Sequence, residues 1–152
     1  MSRLVDIPIR IESSPASEAL SGGLGGGLGG GVTAILHEIV RLLEQLAAVD
    51  EPAAIDLRSL PMSPQDRTEL QRALGEGEVQ ATLNAQGMSK MYETRVPGVW
   101  WVEHRDPHGE LIAELIEVTR VPQILASASD EIGAGARALR EQITLAPTVR
   151  TC

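Results

Sequence analysis

The stretch "EVQATLNAQGMSKMYETRVPGVWWVEHRDPHGELIAELIEV", residues 78–118, decides the fold. Apolar and polar residues alternate in four runs, "EVQATLN", "MSKMYETRV", "GVWWVEHR" and "ELIAELIEV". Alternation of period two marks strands with two unlike faces. The separators "AQG", "PG" and "DPHG" are turn sequences, because glycine supplies positive φ and proline presets a turn. An antiparallel meander of four strands is expected.

Outward from the meander, the period changes to that of a helix. Upstream, Val32, Ile35, Leu36, Ile39, Leu42, Leu43 and Leu46 follow helical spacing, with His37, Glu38, Arg41, Glu44 and Gln45 opposite, which predicts a helix over 33–48. "AAIDL" (53–57) reads as a short buried strand. In "SPQDRTELQRALGEG", Ser63 suits an N-cap, Pro64 the first helical position and Asp66 the acid of a capping box, while Gly75 ends the helix. Downstream, Ile132, Ala136, Leu139 and Ile143 form one face of a helix starting near Ser129, although Gly133 and Gly135 weaken its first turns. Pro147 stops it, and 147–152 reads as a frayed tail. Helices before and after a meander predict an α+β domain over 32–146, with a four-stranded antiparallel sheet, helices on one face and N-terminal and C-terminal helices flanking it.

Ahead of that domain stands "SGGLGGGLGGGVT" (21–33). A phosphate loop needs a lysine after its last glycine, and Val32 stands there. The dinucleotide pattern fits at Gly25, Gly27 and Gly30, but needs a strand directly before it, where "ESSPASEALS" offers none. Residues 21–31 are therefore expected to be a flexible linker. It would tether an arm at 1–20 whose alternating Val5, Ile7, Ile9 and Ile11, interrupted by Pro8, suit an edge strand.

Composition narrows the function classes. The chain has 152 residues, 43% of them hydrophobic, enough for one core. Phenylalanine is absent, and the aromatic residues are Tyr92, Trp100 and Trp101. Single-stranded nucleic acid needs aromatic platforms and a basic groove, and a net charge of −8 repels phosphate backbones and anionic membranes. Neither nucleic acid nor membrane is an expected partner, and with no span-length apolar stretch and no leader pattern the expected location is the cytoplasm. Cys152, the single cysteine, forms no internal disulfide and cannot alone hold an Fe–S cluster, so no cofactor is expected.

No catalytic constellation emerges. His104, Asp106 and His108 in "HRDPHG" suggest a metal, but Pro107 and Gly109 make this a turn, with no fourth ligand nearby, and no metal site is expected. His37 and Glu38 are adjacent on a helix and point apart. Glu76 and Glu78 flank Gly77 at a helix-to-strand junction, where a solvated turn competes with a small enzyme using paired carboxylates.

"VPGVWWVEH" (96–104) carries more. Neighbouring strand side chains point to opposite faces, so Trp100 and Trp101 cannot share one core. If Trp100 sides with Val102, Trp101 aligns with Glu103 and Arg105 on the outer side. Trp101 is then either an exposed anchor for a partner or covered by a helix or the N-terminal arm. The expected partner surface comprises Trp101, Trp100, Glu93, Arg95, Pro97, Gly98, Glu103, Glu76 and Glu78.

The segments "ILHEIVRLLEQL", "IDLRSLPMSPQDRTELQRALGEGEV", "ETRVPGVWWVEH" and "ELIEVTRVPQIL" resemble, in order and spacing, the C-terminal conserved region of HupH/HyaF-type hydrogenase expression/formation proteins. The resemblance covers about residues 32–126. It implies an accessory protein in the maturation of uptake [NiFe] hydrogenases. Members of that family are thought to chaperone the Fe–S-bearing small subunit, so the implied partners are that subunit or its precursor and other hydrogenase accessory proteins. It transfers no catalytic residues, and a homo-oligomer built on a symmetric contact stays open beside it.

Overall fold

The computed structural model describes residues 28–145; the N-terminal arm, the linker up to residue 27 and the tail from residue 146, with Cys152, lie outside them. Helix α1 spans Gly30–Val49. It starts inside the glycine run, three residues earlier than the apolar spacing predicts, and Gly29 is its N-cap without a side-chain cap bond. Each helical glycine costs about 1 kcal/mol relative to alanine. Burial of Val32, with Leu28 packed beside the core, offsets that cost. The helix ends where Asp50 turns left-handed at φ 56° and its N–H donates to the Leu46 carbonyl.

Strand β1 (Ala53–Asp56) follows, and a 3-10 turn at Leu57–Ser59 leads to helix α2, Pro64–Leu74. The capping box closes as expected: Asp66 N–H donates to Ser63 Oγ at 3.1 Å, and Ser63 N–H donates to Asp66 Oδ2 at 2.8 Å. Gly75, at φ 65°, ends the helix.

The meander is present as β2 (Gln80–Ala85), β3 (Gly87–Glu93), β4 (Val99–Arg105) and β5 (Leu111–Val118). Strand β1 joins it as a fifth strand, antiparallel to β5, and the order is β1-β5-β4-β3-β2. Four strands were expected in the sheet, with 53–57 a separate buried strand. Instead β1 is a half-buried edge, and Pro52 before it and its four-residue length limit further pairing. Strand β3 stops at Glu93 rather than Val96 because Thr94, itself buried, bonds through its hydroxyl to Val96 N–H and makes the turn.

Helices α1 and α2 cover one face of the sheet. Val32, Ile35, Ile39, Leu42 and Leu46 from α1, and Leu70 and Leu74 from α2, pack with Leu57, Val99, Trp101, Ile116 and Val118. Met91, Trp100 and Val102 form a second, smaller cluster on the opposite face, with half-buried Ala81, Leu83, Leu115 and Leu125 around it. Leu125 belongs to a return segment that also places Thr119, whose carbonyl accepts a 3.2 Å hydrogen bond from Trp100 Nε1.

The C-terminal helix α3 forms over Ser129–Leu145, from the expected start. It buries none of its residues. The expected packing of helices on one face thus holds for α1 and α2 and not for α3.

Candidate functional site

The strand register settles the tryptophan pair. Trp101 stands opposite Ile116 on β5 and Tyr92 on β3, and Trp100 opposite Glu117 and Glu93. Trp101 is fully buried and Trp100 is 4% exposed. The alternation is as expected, with Trp100 on the side of Val102, but the side of Trp101, Glu103 and Arg105 is the one α1 and α2 cover. Trp101 is therefore not an exposed anchor. The Tyr92 ring stacks on it with centroids 6.5 Å apart and planes within 7°.

Beside the Trp101 indole lies a carboxylate that the alternating pattern of β5 conceals. Glu114 is 2% exposed, and Arg67 Nε from α2 lies 2.7 Å from its Oε2. Burial raises the Glu114 pKa, against the pull of Arg67, so loss of hydration outweighs the ion pair. Burial, with Glu76, Glu103 and Glu114 nearby, pushes the Tyr92 hydroxyl up to about 12. Glu103 is half-buried and pairs with Arg105 at 3.1 Å. The Arg67–Glu114 pair ties α2 to the sheet.

The remaining candidates gather at one end of the sheet. Gly77 N–H donates to the Glu93 carbonyl at 2.7 Å, and Arg95 N–H donates to the Leu74 carbonyl at 3.1 Å. These bonds clamp the α2–β2 junction, with Glu76 and Glu78, against the β3–β4 turn. A Cβ on Gly77 would lie 2.7 Å from the Thr94 carbonyl oxygen, so the close approach requires glycine. Glu93 Oε1 accepts from Gly98 N–H at 3.2 Å, and Gly98 has φ 82°. Glu76, Glu78, Arg95 and Pro97 are left exposed. A cavity of about 270 Å³ opens between α1 and the turn, lined by Leu43, Leu46, Ala47, Pro97, Gly98 and Arg120. Arg120 is held over it by Asp50 at 2.6 Å.

Glu76 lines a polar depression with Gln80, Thr82, Lys90 and Tyr92, to which Glu78 does not contribute. In the "HRDPHG" turn, Asp106 Oδ1 accepts from the backbone N–H groups of His108 and Glu110, and His104 Nδ1 bonds Ser89 Oγ at 2.8 Å. Among the described residues no group of three or more potential ligands is placed to hold a metal, and no helix is long and apolar enough to cross a membrane.

Residues 31–146 match the HupH hydrogenase expression protein family, in its C-terminal conserved region. The chain belongs to that family. A hydrogenase expression/formation protein HoxQ of Azotobacter vinelandii is 37% identical over 94 residues, 62% of this chain and 33% of the relative. The hydrogenase expression/formation protein HupH of Rhizobium leguminosarum bv. viciae is 28% identical over 91% of this chain and 52% of its own length. The chain thus spans about a third to a half of these curated relatives. The solved structure of a hydrogenase expression protein HupH from Thiobacillus denitrificans superposes with TM-score 0.73 at 37% identity, covering 74% of this chain and 94% of that one. The family fold accordingly includes the α+β sheet, and the conserved-region match reaches through α3.

Sequence reasoning missed the exposure of α3. Its apolar spacing was visible, but spacing alone does not say whether another element covers the stripe.

Proposed function

We propose that this chain acts as an accessory binding module in hydrogenase maturation: it docks a hydrogenase subunit, the Fe–S-bearing small subunit or its precursor, without turnover. The enzyme served is an uptake [NiFe] hydrogenase, met in the cytoplasm before export. The observation that carries this reading is the family match over residues 31–146. The geometry supports a docking role at the β3–β4 end, where Glu76, Glu78, Arg95 and Pro97 are exposed and where Pro97 and Gly98, with Leu43, Leu46, Ala47 and the charged Arg120, line a mostly apolar cavity. An apolar recess with a charged rim is the form in which a partner's side chain is anchored and its register set.

The test is a pull-down of the tagged chain from cells expressing a hydrogenase operon, with bound proteins identified by mass spectrometry. Recovery of the small-subunit precursor is expected, and Arg95→Glu should reduce it. Recovery of the large subunit alone would redirect the partner. Failure to recover any hydrogenase component after cross-linking would overturn the reading, and undiminished recovery with Arg95→Glu would move the docking surface elsewhere.

A further inference from the structure

The return segment and α3 concentrate exposed aliphatic surface that the docking end does not use. Of the ten large hydrophobic residues exposed among the described residues, Val121, Ile124, Ile132, Leu139, Ile143 and Leu145 lie within 121–145. On α3, Ile132 is 61% exposed, Leu139 58% and Ile143 69%. A stripe of this kind in water marks an interface. Ile132, Ala136, Leu139 and Ile143 are spaced four, three and four apart, which is the spacing of a seam between two packed helices.

We propose that α3 is an interface between two copies of this chain, with the two helices antiparallel about a two-fold axis. Two features select a second copy in that orientation. Antiparallel alignment sets Ile132 opposite the partner's Ile143 and Ala136 opposite the partner's Leu139, so a small residue meets a large one across the seam. Parallel alignment would stack alanine on alanine and leave a gap. Finally, α3 holds three acids, Asp130, Glu131 and Glu141, against two arginines, Arg137 and Arg140, a sum of −1 in a chain of −8, so self-association here meets little of the repulsion the rest of the surface would impose. An isologous contact of this kind closes as a dimer and does not propagate.

At 17 residues α3 is about 25 Å long, which makes a small interface and a weak dimer. The experiment is sedimentation velocity of the full chain from about 5 to about 500 μM, a range that brackets micromolar dissociation constants. A monomer–dimer equilibrium is expected, abolished by Leu139→Glu with circular dichroism and thermal midpoint of the monomer unchanged, because Leu139 is exposed in the single copy. For orientation, the cysteine of the tail is replaced by serine, and Ile132→Cys and Ile143→Cys chains are oxidised separately and mixed; disulfide dimers should form chiefly in the mixture. A chain that stays monomeric throughout the range overturns the proposal, as does a dimer that Leu139→Glu leaves intact. Preferential self-cross-linking of each single variant overturns the antiparallel geometry. These outcomes concern the pure protein, so they stand or fall apart from the hydrogenase partner.

Discussion

Helices α1 and α3 flank the same sheet in sequence and carry the same kind of aliphatic stripe, yet α1 buries Val32, Ile35, Ile39, Leu42 and Leu46 while α3 buries nothing among the described residues. The difference lies in where the chain delivers each helix. The turn after α1 leads directly into β1, an edge strand paired to β5, so α1 is laid back across Ile116 and Val118. The segment before α3 packs Leu125 on the opposite face, where the Thr119 carbonyl accepts from Trp100 Nε1, leaves Val121 and Ile124 exposed, and then leaves the sheet. An amphipathic pattern therefore says that a helix has a partner; it does not say which one.

The largest effect that would break this comparison is at the residue α1 and α2 cover. Trp101→Ala should cost about 3–5 kcal/mol, the range for removing a large core side chain, and urea denaturation would show it as a lower midpoint. A stable Trp101→Ala protein would mean that the covered face is not the core. Leu42→Ala in α1 should follow at about 2–5 kcal/mol, since Leu42 is 6% exposed.

A smaller effect separates the polar part of that face from the apolar part. Burial raises the pKa of Glu114 above its ordinary 4.5, and Glu117 shifts the same way for the same reason. The folded protein then holds protons that the unfolded chain has released, so this contribution to stability falls as pH rises through and beyond the ordinary carboxylate range. Glu114→Gln should flatten the decline measured in thermal midpoints between about pH 4 and pH 8, leaving the part due to Glu117. At neutral pH relief of a buried charge is set against loss of the Arg67 attraction, so its stability should change by less than either effect alone. Parallel profiles for the two proteins would show that Glu114 ionises as freely when folded as when unfolded.

The smallest expected effect is the sharpest contrast with Leu42. Leu139→Ala should change monomer stability by no more than about 0.5 kcal/mol, as for other exposed positions, when measured at low concentration. A loss as large as that of Leu42→Ala would place α3 against the body of its own chain.

Much of the fold was legible because its signals are local. The Ser63–Asp66 capping box, the Gly75 stop, the meander turns and the start of α3 at Ser129 each depend on a few consecutive residues. The start of α1 was misjudged because glycine reads as a breaker, while burial of Val32, a long-range effect, carries the helix through Gly30 and Gly31. β1 was seen as a strand, but its place beside β5 depends on a pairing some sixty residues away in the chain. Of the candidate site, the end that gathers Glu76, Glu78, Arg95 and Pro97 was legible as residues and not as a place; the clamp between Gly77 and Glu93 brings them together.

By itself the sequence determined the periods: which segments are helices, which are strands, where they cap and turn, and that Trp100 and Trp101 face opposite ways. Only the tertiary structure decided which tryptophan lies under the helices, that Glu114 is buried with Arg67, and that the stripe of α3 stays uncovered. The physical reason is that alternation is unchanged when the two faces of a sheet are exchanged, and helical spacing is the same whether its partner is near, distant or another molecule. Those choices are made by contacts between residues far apart in the chain.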